Sequence, residues 1–166
     1  YSTVSRPKIL KLNKAMINLQ NNLSSRALTF NSDKPESIRL HINSYGGSVF
    51  AGLAAVDYIL TSKVPVETIV EGCAASAATL MSVVGSKRYR NRNSCMLVHK
   101  LSGHMWGKYQ EMEDDMENSK MLMSKIKNIY REYTKIPKTK LDDILKRDIW
   151  WDAKQCLEYG LVDEII

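Results

Sequence analysis

The chain has 166 residues, of which 44% are hydrophobic and 25% charged, an ordinary globular composition with enough apolar mass for one sizeable core. No apolar run nears the ~20 residues of a membrane span, and no signal-peptide pattern opens the sequence. The net charge of +6 invites a nucleic-acid partner, but the one local cluster, Lys87, Arg88, Arg90 and Arg92, contains a single aromatic, Tyr89. No RNA-binding or zinc-finger spacing accompanies it, so it reads as a solvated turn.

In chain order, a basic start leads into a predicted helix over Lys14 to Leu28, with Met16, Leu19, Leu23 and Ala27 as its apolar stripe. A turn follows at Ser32-Asp33-Lys34-Pro35. Ile38 to Ile42 alternates as a short strand and runs into Asn43-Ser44-Tyr45-Gly46-Gly47-Ser48-Val49. Two glycines after a strand let backbone N–H groups approach a ligand closely. The stretch lacks the Gly-Lys of a phosphate loop and the spacing of a dinucleotide fingerprint, so an oxyanion or peptide-backbone site is the better fit. Phe50 to Leu60 is the next predicted helix.

Val64 to Val70 is an apolar, β-branched run that reads as a buried strand, and Gly72 is expected to break it. Ala74 to Ala78 are small enough to open a tightly packed helix, which puts Ser76 at the helix N-terminus. Unpaired N–H groups and the positive end of the helix dipole there favour a developing negative charge. A serine attacking a carbonyl needs that environment, because the tetrahedral oxyanion must meet preorganised donors. A capping serine in a tight helix–sheet contact is the competing role. Cys73 lies three residues earlier and is read as a small buried hydrophobe. With Cys95 and Cys156 it makes an odd, scattered set without CxxC spacing, which predicts reduced cytosolic thiols and neither a disulfide frame nor a metal site.

Gly85 to Asn93 reads as a polar turn, and Cys95-Met96-Leu97-Val98 as a second apolar strand delivering His99 at its C-terminal end. In open α/β sheets functional groups gather at such ends, so His99 is the preferred base over His41 and His104. Met105 to Tyr133 is a long helical pattern, acidic in its first half and basic in its second. Its apolar stripe at 105, 109, 112 and 116 continues to 122, 126, 129 and 133, and predicts a projecting helix that buries methionines against a second copy. Two shorter helices with a break near Asn118 are the alternative. Short helices from Leu141 to Lys146 and Ala153 to Tyr159 close a chain without repeats or linkers, read as one domain over residues 1–166. Asp148, Asp152 and Asp163 are the acids available to orient a histidine.

Four fragments in order then resemble the Clp protease proteolytic-subunit (ClpP) family. They are Asn43 to Val49, Gly72-Cys73-Ala74-Ala75-Ser76, Leu97-Val98-His99, and Arg147-Asp148 followed by Cys156 to Asp163. The resemblance implies a crotonase-like α/β fold of repeated ββα units with a projecting handle helix. It further implies a serine endopeptidase that cleaves peptides or unfolded chains inside a ring-shaped chamber. Carried over, Ser76 is the nucleophile, His99 the base and Asp148 its orienter, and the backbone N–H groups of Gly47 and Ala77 form the oxyanion hole. Ser48, Val49 and Phe50 on one side, with Leu101, Ser102 and Gly103 on the other, would hold substrate as an added strand. The implied partners are further copies of the chain in stacked rings and an AAA+ unfoldase, which alone would use ATP; no cofactor, metal, nucleic acid or membrane is expected.

The sequence departs from the family pattern at Tyr45, where proline is usual, and at Ala77-Ala78, where Met-Gly is common. Both departures resemble phage-encoded relatives, including prohead-maturation peptidases, so the expected compartment is the cytoplasm, or that of a host. Residues 1–37 carry no match to the family's first strand or axial-pore loop. A crotonase-type acyl-CoA enzyme, an inactive ring subunit and a basic binding module are the alternatives from other classes.

Overall fold

The computed structural model describes residues 1–30, 36–103 and 106–166. Its first helix, α1 (Arg6–Thr29), starts well before the predicted Lys14. Pro7 sits in the first turn, where its missing N–H costs no hydrogen bond. The buried face is Ile9, Asn13 and Met16. Of the predicted stripe only Met16 is fully covered, and Leu19 is 47% exposed. The turn expected at Ser32 to Pro35 lies outside the described residues.

A parallel crossover follows: β1 (Ile38–Ser44), α2 (Val49–Leu60) and β2 (Val66–Ala75). The strands pair from Ile38 with Val66 to Ile42 with Val70, while α2 buries Ala55, Val56 and Ile59. Gly72 does not end β2. It adopts φ 72°, the register slips between Ile42 and Ser44, and pairing resumes at Ser44 with Ala74. A Cβ at residue 72 would lie 2.9 Å from the Asn43 amide nitrogen, so glycine is what lets the strand bulge and continue.

At that bulge the other edge of β2 changes partner. β3 (Arg88–Arg90) pairs with Thr68 to Val70, and β4 (Cys95–Leu97) pairs with Cys73 to Ala75. Between β2 and β3 runs α3 (Ala77–Val83), every residue of which is buried. The predicted polar turn therefore contains a strand, and only Lys87 and Arg92 of the basic cluster are exposed to solvent. Arg90 is fully buried, and Arg88 holds Asp163 through its Nε and backbone N–H, both at 2.9 Å. Alternation along β3 turns residues 88 and 90 to one face, whereas Lys87 stays outside with Glu164 at 3.1 Å.

α4 (Tyr109–Tyr133) is one unbroken helix of 25 residues, about 38 Å long, so the break near Asn118 does not occur. Met105 lies outside the described residues. The second half of α4 is anchored through buried Leu122, Ile126 and Tyr130, while Tyr109, Met112 and Met116 in the first half are exposed. α5 (Lys138–Leu145), β5 (Trp150–Trp151), α6 (Ala153–Glu158) and β6 (Glu164–Ile165) complete the chain. β5 runs antiparallel to β4, and β6 lies parallel to β3. Among the described residues no helix is long and apolar enough to cross a membrane.

Candidate active site

Ser76 sits between the end of β2 and the start of α3 with φ 54°, the one positive φ outside glycine among the described residues. A side chain held there costs on the order of 1–3 kcal/mol, so the surroundings must impose it. Its N–H donates to Leu97 O at 3.1 Å, and its carbonyl accepts from Thr79 N at 2.9 Å. The hydroxyl does not cap α3, which removes the competing reading of Ser76 as a capping residue. On the other side Gly46, at φ 91°, packs directly on this turn. A Cβ there would lie 2.6 Å from Ala75 O and 2.7 Å from Ser76 Cβ. The glycine pair and the serine turn are thus two halves of one contact, although they are remote in sequence.

His99 follows β4, the parallel neighbour of β2, so Ser76 and His99 emerge at the same end of adjacent strands. Antiparallel pairing sets Met96 opposite Trp151 and Leu97 opposite Trp150. Continuing that register by two residues puts His99 opposite Asp148, and His99 Nδ1 lies 2.9 Å from Asp148 Oδ1. The imidazole is only 17% exposed, whereas the Asp148 side chain is 79% exposed. His99 Nε2 is buried and has no partner among the described residues. The other acids are committed elsewhere: Asp152 caps α6 by accepting from Gln155 N at 2.8 Å, and Asp163 binds Arg88. His41 pairs with Glu71 at 2.7 Å across β1 and β2, and His104 lies outside the described residues.

Ser76, His99, Gly47 and Ala77 line one cleft together with Val49, Leu80, Lys100, Leu101, Ser102, Ile126 and Tyr130. Gly47 forms a parallel bridge with Val4 in which Val4 N donates to Gly46 O and Ser48 N to Val4 O, each at 2.8 Å. That bridge leaves the N–H of Gly47 itself on the opposite side. Ala77 opens α3, and the first N–H groups of a helix have no intrahelical acceptor. Among the described residues neither N–H has a backbone acceptor. Burial pushes the Cys73 thiol up, which makes it a poor nucleophile beside a serine so placed.

The predicted substrate segments fare differently. Val49 and Phe50 are the first residues of α2, with Ser48 as the N-cap, and helical backbone cannot add a strand. Ser48 N is already used by Val4, and Phe50 lies in a groove between α1 and α2. The reading of Ser48 to Phe50 as an extended edge is thus corrected; only the Val49 side chain reaches the cleft. Leu101, Ser102 and Gly103 are in no helix or strand. This segment is tied at its start by Lys100 N to Leu145 O at 2.8 Å and Leu101 N to Met123 Sδ at 3.2 Å. Leu80, Ile126 and Tyr130 were missed as cleft residues, because their helical spacing signals only burial.

The family model for Clp protease matches residues 1–166. The chain belongs to the Clp protease family. The ATP-dependent Clp protease proteolytic subunit of Deinococcus radiodurans is 32% identical over 151 residues, covering 89% of this chain and 74% of that protein. The protein of the same description from Streptococcus mutans serotype c is 33% identical over 172 residues, covering 100% of this chain and 88% of the relative. The match includes residues 1–37, where no family motif is legible in the sequence alone. Membership makes the chain a peptidase homologue with the crotonase-like α/β fold, here a curled sheet with six helices among the described residues. These comparisons favour neither the acyl-CoA enzyme nor the inactive subunit.

Proposed function

We propose that this Clp protease family member is a serine endopeptidase, one domain in extent, in which Ser76 is the nucleophile, His99 the general base and Asp148 its orienter. The observation that carries the reading is the state of His99. Its Nδ1 is held by Asp148, and its buried Nε2, in the cleft that Ser76 also lines, has no partner among the described residues. With Nδ1–H donating to the carboxylate, Nε2 is the free lone pair a general base needs.

In the forward step Nε2 takes the Ser76 hydroxyl proton as Oγ bonds to the substrate carbonyl carbon. The negative charge passes to the carbonyl oxygen, which the N–H groups of Gly47 and Ala77 receive. Collapse of the adduct breaks the C–N bond; the imidazolium gives its proton to the leaving amine, and an acyl-serine remains. Water, deprotonated by the same nitrogen, then releases the acid and restores Ser76. The residues after His99, Leu101 to Gly103, would hold the substrate in extended form. No cofactor takes part in this sequence.

The exposed apolar side chains of α4, Tyr109, Met112 and Met116, support a chamber built by stacking rings of this chain through that helix. The relatives' description as ATP-dependent supports an ATPase partner that feeds unfolded chains. A cytoplasmic location fits that partnership.

The deciding experiment is reaction with a fluorophosphonate followed by peptide mapping, alongside turnover of a short fluorogenic peptide. Label on Ser76, lost together with turnover in Ser76→Ala, is the expected result. Turnover retained in Ser76→Ala would overturn the assignment.

A further inference from the structure

We infer that Thr79 and Tyr130 are positioning residues that orient the Ser76–Ala77 peptide and so aim the Ala77 N–H at the reacting carbonyl oxygen. The inference rests on the assignment of Ser76 as nucleophile and Ala77 as an oxyanion donor, and adds the device that sets that donor's direction.

Thr79 Oγ1 donates to the Ser76 carbonyl at 2.6 Å, beside the backbone bond from Thr79 N. The same hydroxyl oxygen meets the Tyr130 phenol. A threonine hydroxyl carries one proton, and the Ser76 carbonyl can only accept. Thr79 therefore spends its proton on Ser76 O, and Tyr130 must be the donor to Thr79 Oγ1. Tyr130 is fully buried, and burial holds its proton far above the usual phenol range, so the donor persists at any working pH. The result is a directed relay from α4 through Thr79 to the carbonyl of the nucleophile.

That carbonyl shares a rigid, planar trans unit with the N–H of Ala77, and the two groups point in opposite directions. Fixing the Ser76 oxygen on one side fixes the Ala77 hydrogen on the other. The device is needed because Ser76 is held at φ 54°, where a relaxing backbone would swing this same peptide. Two hydrogen bonds on one carbonyl resist that rotation. The relay ends on the buried second half of α4, whose first half is the exposed part. Contacts made along α4 therefore reach the oxyanion donor through Tyr130.

The test compares Thr79→Val, Thr79→Ser and Tyr130→Phe with the wild type. Circular dichroism and sedimentation check fold and assembly, peptide turnover gives kcat and KM, and a peptide boronate reports binding of a tetrahedral anion at the serine. Losing one such bond should cost about tenfold. Thr79→Val is expected to lower kcat and weaken the boronate by that factor while KM stays within about twofold. Thr79→Ser should restore both, and Tyr130→Phe should show a smaller loss of the same kind. Unchanged kcat and boronate affinity in a folded Thr79→Val, or a loss confined to KM, would overturn the inference. Absence of rescue by serine would do the same. If Thr79→Val fails to fold, Tyr130→Phe decides: wild-type kcat and boronate affinity there overturn it. A wild type that a fluorophosphonate leaves unlabelled at Ser76 overturns the serine-peptidase reading and this inference together, whereas a labelled wild type beside an unaffected Thr79→Val overturns this inference alone.

Discussion

Two histidines in this molecule bond to a carboxylate through Nδ1, yet they occupy very different places. His41 meets Glu71 at 2.7 Å, with its side chain 48% exposed, and Tyr1 shares the same carboxylate. His99 meets Asp148 at 2.9 Å, is mostly buried, and in a cleft shared with Ser76 its Nε2 has no partner among the described residues. The bond between imidazole and acid is therefore not what sets the proposed base apart. What does is the fate of the second nitrogen. In His41 solvent can satisfy it, whereas His99 Nε2 is buried with no partner among the described residues, a state that costs energy unless a substrate or nucleophile proton uses it.

This contrast can be broken most directly at the reactive atoms. If the proposed roles hold, Ser76→Ala and His99→Ala should each lower peptide turnover by roughly six orders of magnitude, the loss typical of removing a serine peptidase's nucleophile or base, while His41→Ala stays within about twofold of wild type. Steady-state kinetics with one fluorogenic peptide would decide, and a large loss in His41→Ala would erase the distinction. One step out, Asp148→Asn should cost about four orders of magnitude, because the imidazole loses its tautomer and aim. The matching change Glu71→Gln should leave turnover intact, as should Asp152→Asn and Asp163→Asn. Equal losses at all four acids, with unchanged thermal stability, would sink the choice of Asp148.

The two histidines also differ in what covers them. The cleft of His99 is lined in part by Ile126 and Tyr130 of α4, so it should depend on assembly through that helix, and His41 should not. Met112→Glu with Met116→Glu is expected to reduce the particle to smaller species in analytical ultracentrifugation and to lower turnover about tenfold or more, by the loss of one or more positioning contacts. A wild-type monomer with full activity would contradict both statements.

The smallest effect concerns the acid that is not part of either pair. Arg88 holds the Asp163 carboxyl below its usual range. Its folded form thus binds a proton less readily than its unfolded form. The resulting stability is complete above the unfolded value of about 3.9, and is lost as pH falls through the lower folded value. Melting temperatures of the wild type should fall more steeply than those of Asp163→Asn between about pH 5 and pH 3. Parallel curves would show that the bond adds nothing.

Much of this site could be read from short stretches of sequence. The small residues around Ser76, the Gly46-Gly47 pair and the apolar run ending at His99 are local signals, since positive φ, close approach and strand periodicity depend on neighbours a few residues away. Other readings failed for an equally physical reason. Gly72 looked like a strand end, and in isolation a glycine with φ 72° would be one. It is a bulge only because β1 resumes pairing at Ser44 and β4 arrives at Cys73. Arg88 and Arg90 looked solvated because charge favours water, until β3 carried them inward.

By itself, the amino-acid sequence determined the order of the longer strands and helices, the strand-to-helix turn at Ser76 and the family that these motifs resemble. Those features follow from backbone preferences and side-chain size within a single segment. Only the tertiary structure decided that Asp148 and neither Asp152 nor Asp163 faces His99, because that depends on the antiparallel register of Trp150–Trp151 against Met96–Leu97. It alone also decided that Val49 and Phe50 begin a helix, and that Tyr130 of α4 reaches Thr79. Each of these is a contact between segments remote in the chain, set by how strands slide past one another and how a helix seats on a core.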